Sequence, residues 1–158
     1  MAIRNIVLEG DPILAKKCRV VEDFGERLAQ LIDDMIETMR LNNGVGLAAP
    51  QVGMLKRVVV VQVDRDKPAI ELVNPEIIKA EGLQEEAEGC LSCPGEYGIT
   101  KRPMRVKVKA KNRFGKEHIY EGEALLARAF CHEIDHLNGI LFKSHVVQML
   151  DVSDLKSS

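Results

Sequence analysis

Apolar residues at helical spacing mark the first strong element of the chain, DFGERLAQLIDDMIETMRLNNG, which spans residues 23–44. They form a stripe down one side of a helix, made of Phe24, Leu28, Leu31, Ile32, Met35 and Met39. Asp23 followed by Glu26 predicts a capping box at the start of this helix. The closing Asn-Asn-Gly sequence predicts its end.

The pattern then changes to that of β-strands. KRVVVVQVD is a β-branched run that predicts a buried strand, and IELVNPEIIKAEG continues as one or two strands interrupted at Pro75. MRVKVKAKN alternates, so that Val106, Val108 and Ala110 face one way and the lysines face the other. A turn at Gly115 leads into HIYEG, which is expected to return as its partner strand.

A second helical stretch, EALLARAFCHEIDHLNG, ends at Asn138-Gly139. The order of one helix, several antiparallel strands and another helix predicts an α+β fold rather than alternating βα units. With 158 residues, the chain is expected to form one domain, residues 1–158. The closing segment HVVQMLDVSDLKSS predicts a brief helix that runs into a polar tail.

Composition narrows the class of protein. Hydrophobic residues make up 46% and charged residues 29% of the chain, and the formal net charge of −2 gives no basic excess for nucleic acid. The N-terminal MAIRNIVLEGDP lacks the apolar core of a signal peptide, and no apolar run approaches the roughly 20 residues of a membrane span. We therefore expect a cytoplasmic protein whose four cysteines are thiols or metal ligands.

The second helix carries the strongest chemical signal, the sequence HEIDH. His132 and His136 are four residues apart and lie on one helical face, so both can bind the same metal ion. Glu133 lies about 100° further round the helix, within reach of a metal-bound water without being a ligand. Leu125 and Ala129 share the face of the histidines and would form an apolar wall beside the metal.

A catalytic metal site needs a third protein ligand, and spacing alone leaves several candidates open. Downstream of the helix there are His145, Asp151 and Asp154. Upstream, Cys90 in EGCLSCPG lies in a stretch that is expected to be extended. Such a stretch can direct a side chain towards the site.

The sequence C-x-x-C at Cys90 and Cys93 has other interpretations, namely a redox pair or half of a zinc knuckle. A knuckle needs a second such pair, which the chain lacks, and a thioredoxin-like pair needs a βαβ setting. Cys131 adjoins His132 but points about 100° away along the helix, so we expect it to be a packing residue.

The glycines of GVGLAAPQVG also fit the dinucleotide pattern G-x-G-x-x-A through Gly44, Gly46 and Ala49. That pattern must follow a strand and begin a helix, whereas here it follows a helix and precedes a strand. We expect instead that these glycines let the backbone approach an extended substrate closely, in the manner of strand addition.

GVGLAAPQVG, EGCLS and HEIDHLNG, in that order, resemble the three signature motifs of peptide deformylases, and the resemblance covers essentially the whole chain. It implies an α+β fold with antiparallel sheets packed around the C-terminal HEIDH helix. It also implies removal of the formyl group from N-terminal methionine of nascent proteins, with formate released. By position, it implies Cys90, His132 and His136 as metal ligands and Glu133 as the acid/base.

The resemblance also implies that Gln51 donates a hydrogen bond to the oxyanion of the transition state and that Gly46 contacts the peptide backbone. We expect the backbone N–H of Leu91 to be the second oxyanion donor. Val45, Leu125 and Ala129 are candidates for the methionine pocket, although simple core packing would also place apolar residues there.

One divalent metal ion is expected, because thiolate and imidazole ligands suit iron, zinc, cobalt and nickel alike. The resemblance favours Fe²⁺ among these and raises the possibility of ribosome proximity. Glu88, Arg102 and Asp135 could support the metal ligands or could be surface charges. Two other functions compete with deformylation: an HExxH metallopeptidase, and a binding module with a structural metal that would recruit Cys93 as a fourth ligand.

Overall fold

The computed structural model describes residues 2–150 and contains two α-helices, α1 (Glu26–Leu41) and α2 (Leu125–Leu137). Its strands, in chain order, are β1 (Gly46–Ala48), β2 (Val58–Val61), β3 (Ile70–Glu81), β4 (Gln84–Cys90), β5 (Cys93–Arg102), β6 (Arg105–Lys111), β7 (Glu117–Glu123) and β8 (Val146–Leu150). Short 3-10 turns occupy Pro12–Ala15, Ala49–Val52 and Phe142–His145. The predicted α+β class is therefore confirmed.

All the strand pairs are antiparallel, and they form two sheets among the described residues. One sheet has five strands in the order β1-β2-β3-β6-β7, and the other has three in the order β4-β5-β8. The predicted alternation of β6 is confirmed, since Val106, Val108 and Ala110 are buried. β7 pairs with β6 as expected, after a turn in which Gly115 has a φ of 80°.

Helix α2 packs on one face of the larger sheet and helix α1 on the other. Val59 and Val61 of β2 belong to the core that also contains Phe130 of α2. Val58 and Val60 belong to the core that also contains residues of α1. Because both faces of β2 are covered, its four valines are all fully buried, which explains the unbroken apolar run in the sequence.

Two local predictions are wrong, and the structure decides a third that was left open. Helix α1 begins after Gly25, which makes no side-chain capping bond, so the capping box predicted at Asp23 and Glu26 is wrong. Strand β3 is a single strand, which is one of the two arrangements predicted, and its interruption at Pro75 is a shift in register next to Asn74, whose φ is 53°. The predicted terminal helix is wrong for its described part, because Val146–Leu150 pairs with β5 as a strand. The polar tail DVSDLKSS lies outside the described residues.

Within residues 2–150, neither helix combines the length and the hydropathy that crossing a bilayer requires.

Candidate metal centre

Helix α2 presents His132 and His136 on its buried face, as their spacing predicts. The two imidazole rings lie 5.0 Å apart between centroids, and both side chains are nearly inaccessible to solvent. The buried ring of Phe142 stacks on His132 at 5.9 Å. The sequence pattern did not indicate this role for Phe142, because an aromatic residue just beyond a helix signals burial but not the partner on which it packs.

Cys90, the last residue of β4, reaches the same point. Ligand atoms of Cys90, His132 and His136 all lie within 4.8 Å of one another, and Cys90 Sγ is 3.4 Å from His136 Nε2. Sulfur and nitrogen ligands bound tetrahedrally at ordinary bond lengths stand about 3.5 Å apart. The three residues therefore fit a single divalent metal ion, both in their chemistry and in their spacing.

A buried network of charged side chains binds the Nδ1 side of His132 and fixes the orientation of its ring. Nδ1 of His132 lies 3.0 Å from a carboxylate oxygen of Glu88. The guanidinium of Arg102 donates to that same Glu88 oxygen at 2.8 Å and to Asp135 at 2.6 Å. Thr100 adds a longer bond of 3.4 Å to the other oxygen of Glu88. With its Nδ1 donating to Glu88, His132 keeps the lone pair of Nε2 for a metal ion.

These contacts explain the protonation of the site without a metal. Burial disfavours the Glu88 carboxylate, but hydrogen bonds from His132 and Arg102 outweigh it and lower its pKa to about 2. Burial, followed by the charges of His132 and Arg102, lowers the pKa of His136 to about 3, so His136 is neutral, the form that binds metals. Burial also disfavours protonated His132, but Glu133, Cys90 and Glu88 outweigh it and raise its pKa. A metal ion would replace that proton.

Glu133 is buried next to the candidate ligands, and its carboxylate lies 3.9 Å from His132 Nε2. Burial raises its pKa to about 7, which suits a group that exchanges protons near neutral pH. Its Oε1 has no hydrogen-bond partner among the described residues. Gly46 makes room for this carboxylate, since a Cβ at Gly46 would stand 2.7 Å from Glu133 Oε2.

Gln51 lies in the 3-10 turn after β1 and is buried against the site. Its side-chain oxygen accepts from the Ala48 backbone N–H at 2.9 Å, which fixes the orientation of the amide. Its nitrogen donates to Ser92 Oγ at 3.1 Å and lies 3.5 Å from Cys90 Sγ. The amide N–H₂ group is therefore directed at the candidate metal ligands. Leu91, the next residue after Cys90, lines the same cavity.

A cavity of about 450 Å³ opens onto these groups. All four residues predicted to contact substrate line it: Val45, Gly46, Leu125 and Ala129. It is also lined by residues that the sequence analysis did not assign to substrate: Asn42, Asn43, Ala87, Pro94, Gly95, Tyr97 and Arg128. Tyr97 and its neighbours come from β5, a strand that the hydrophobic pattern did not reveal.

The remaining candidates for the third ligand lie elsewhere. His145 stands 3.0 Å from Asp135 and is not among the clustered ligand atoms. Asp151 and Asp154 lie outside the described residues.

Arg128 donates to the Ala87 carbonyl at 2.8 Å, which bridges α2 and β4 at the edge of the cavity. Cys131 is buried, and burial raises the pKa of its thiol to about 11, as expected of a packing residue.

Comparison with known proteins agrees with the arrangement of the site. A family model described as polypeptide deformylase matches residues 3–151. The chain belongs to this family. It is therefore a metal-dependent hydrolase with a single catalytic metal ion.

Relatives and solved structures support this assignment. The chain is 54% identical over 156 residues to the peptide deformylase of Caldicellulosiruptor bescii, covering 99% of this chain and 93% of the relative. The structure of a peptide deformylase from Legionella pneumophila is 48% identical, with a TM-score of 0.88 over 92% of this chain and 86% of that one. The peptide deformylase structure from Thermotoga maritima is 40% identical, with a TM-score of 0.89 over 92% and 99%.

Proposed function

We propose that Cys90, His132 and His136 hold the catalytic metal ion of this deformylase and that Glu133 moves the protons of its reaction. The reaction removes the formyl group from the N-terminal methionine of nascent polypeptides and releases formate. The observation that carries the proposal is the convergence of one sulfur and two imidazoles beside a buried carboxyl group. When bound, a divalent metal ion lowers the pKa of water and polarises the formyl oxygen.

Glu133 can act first as base and then as acid. Its pKa of about 7 means that it accepts a proton from water and gives one up with little cost at neutral pH. Its Oε1 has no hydrogen-bond partner within residues 2–150, which leaves one oxygen available for that exchange. The final proton goes to the departing amine, which becomes the free amino terminus of the product.

Two donors are proposed for the oxyanion of the transition state: the side-chain amide of Gln51 and the backbone N–H of Leu91. The bond from Ala48 already fixes the amide of Gln51, so little reorganisation is needed during the reaction. A single preorganised donor of this kind contributes about 3–4 kcal/mol to transition-state stabilisation.

We propose that Val45, Leu125 and Ala129 form the methionine pocket and that Gly46 contacts the substrate backbone. The apolar cavity wall supports this role, because methionine is long, unbranched and polarizable. Neither rival function is favoured. The structural-metal alternative needs a fourth protein ligand, and the thiol of Cys93 instead donates to Glu9 at 3.1 Å. The family assignment argues against an HExxH peptidase.

Four finer points are also proposals. Fe²⁺ is the natural metal, and Zn²⁺, Ni²⁺ or Co²⁺ can replace it, because thiolate and imidazole accept all of them. The chain acts as one catalytic domain. It works in the cytoplasm, in keeping with its four free cysteines, because lasting disulfides are rare in that reducing compartment. It acts close to the ribosome, since its substrates are nascent chains.

The test is formate release from formyl-Met peptides by anaerobically prepared, ferrous-loaded protein. Wild-type protein should release formate, whereas Glu133→Gln should keep its metal and lose about 10²–10⁴-fold in kcat. Glu123→Gln, at an exposed glutamate just before α2, is the matched control and should behave as wild type. Cys90→Ala should bind metal weakly. Formate release at the wild-type rate by Glu133→Gln would reject its proton-transfer role.

A further inference from the structure

The hairpin between β4 and β5 places two cysteines opposite each other. Cys90 and Cys93 are register partners, joined by the turn of Leu91 and Ser92. Partners in antiparallel strands have Cα atoms about 4.5–5.5 Å apart, within the roughly 4.4–6.8 Å that a disulfide spans. Directly opposed residues also direct their side chains to the same face. The ordinary spacing of paired positions therefore permits a disulfide between these cysteines, next to a shift in register between Gly89 and Cys90.

Both cysteines belong to the wall of the cavity at the metal centre; Cys90 is partly exposed there, whereas Cys93 lies behind it and is 2% exposed. The other two cysteines do not line this cavity; they are buried in the main core. Among the described cysteines, Cys90 is thus the one that an oxidant in the cavity can reach first, and Cys93 is the one placed beside it in the hairpin.

The thiol of Cys93 has a proton acceptor in place. Its Sγ donates to Glu9 Oε2 at 3.1 Å, and Lys143 binds the same oxygen at 2.7 Å. Lys143 also binds Glu96 at 2.8 Å, so its ammonium already supplies the cation for Glu9 and Glu96. These contacts argue against a second metal site here and leave the thiol of Cys93 without a role in the proposed reaction.

We propose that Cys90 and Cys93 form a redox modification site, in which a peroxide joins them in a disulfide and removes Cys90 from the metal centre. The Cys90 thiolate attacks one peroxide oxygen, the O–O bond breaks, and Cys90 sulfenic acid and hydroxide form. The Cys93 sulfur then attacks the Cys90 sulfur and displaces hydroxide, which takes the Cys93 proton by way of Glu9. One thiolate, one thiol and one hydrogen peroxide give one disulfide, one water and one hydroxide.

This modification and metal binding exclude each other, because a disulfide sulfur is not a thiolate ligand. Bound metal should protect Cys90, and oxidation should release the metal. Reduction of the disulfide restores the thiolate and with it the site. The inference rests on the proposed role of Cys90 as a ligand, and its test separates the two ideas.

The experiment uses the full chain loaded with zinc, which has no redox chemistry of its own. Hydrogen peroxide is added, released zinc is followed with a chromophoric chelator, and the tryptic peptide of residues 80–101, which holds both cysteines, is weighed. We expect that peptide to lose two hydrogen atoms while one zinc per chain is released. A thiol reductant should reverse both changes.

Cys93→Ala should bind zinc normally, but peroxide should add oxygen to its Cys90, and the over-oxidised acids should resist reduction. Cys131→Ala, at a buried cysteine outside the cavity, is the matched control and should respond as wild type. Oxygen addition to wild type without loss of two hydrogens would overturn the proposal. Disulfide formation with zinc retained would instead reject Cys90 as a ligand and, with it, the coupling.

Discussion

Arg102 offers the sharpest test of how the metal centre is built. It is 3% exposed and donates to both Glu88 and Asp135, so replacing it with methionine leaves two carboxylates without the guanidinium that they share. Hydrogen bonds from His132 and Arg102 together lower the pKa of Glu88 from 4.5 to about 2, which corresponds to about 3 kcal/mol in favour of the folded state and sets an upper bound for the share of Arg102 in that shift. This figure agrees with the roughly 3–5 kcal/mol that removal of one partner from a buried ion pair costs.

Arg102→Met should therefore lower the free energy of unfolding of the metal-free protein by about 3 kcal/mol at pH 7. For a chain of this size, that loss lowers Tm by about 6–12 °C. The assay is urea unfolding followed by circular dichroism, with metal removed by a chelator so that metal affinity does not contribute. Arg102→Lys should recover only part of the loss, because one ammonium cannot reproduce the fork of hydrogen bonds to both carboxylates.

The neighbouring residue on β5 provides the control. Lys101 pairs with Glu85 at 3.7 Å, and both side chains are about half exposed, at 54% and 50%. An exposed pair of this kind contributes about 0–1 kcal/mol, so Lys101→Met should unfold almost as wild type does. Equal stability losses for Arg102→Met and Lys101→Met would refute the argument that burial makes the Arg102 network important.

Two further predictions concern other parts of the fold. Gly46→Ala should displace the carboxylate of Glu133, because the new Cβ would stand 2.7 Å from Glu133 Oε2. The variant should keep its metal and lose about 10²–10⁴-fold in kcat. Formate release and metal content measure the two effects. Burial disfavours the Asp34 carboxylate, but hydrogen bonds from the Ala2 N–H, Gln30 and Arg4 outweigh burial and lower the pKa of Asp34. The ionised carboxylate therefore stabilises the fold at neutral pH, and this stabilisation is lost as the pH falls below about 4. Asp34→Asn should thus be less stable than wild type at pH 7, and urea unfolding should show the difference closing in acid; a gap that is constant with pH would contradict this.

Helices and strands could be predicted from the periodicity of apolar residues, because each of these elements depends mainly on residues that are close in sequence. The stripe from Leu28 to Met39 and the alternation from Val106 to Ala110 describe which faces are buried, and burial decided both elements. Residue propensities predicted the ends of helices and strands, and the strands at sheet edges, less well. They did not reveal β8, whose pairing with β5 supplies a stabilisation that the polar and apolar pattern of Val146–Leu150 does not encode.

The candidate site divides in the same way. The i, i+4 spacing of His132 and His136 places both rings on one face of α2, so half of the metal centre could be predicted from helix geometry alone. The third ligand could not, because spacing left Cys90, His145 and two aspartates open as candidates, with only the extended setting of Cys90 in its favour. Only the resemblance to a family selected Cys90 before the fold was known.

By itself, the sequence determined the two helices, the buried strands, the shared face of the histidines and the absence of a charge excess. The tertiary structure decided which distant residues meet: Cys90 with His136 across 46 positions, and Glu88 with both His132 and Arg102. It also decided that the carboxyl group of Glu133 is buried, which raises its pKa. The physical reason is that helical and strand periodicity are local, whereas sheet register, burial and the pairing of charges depend on how all the elements pack together.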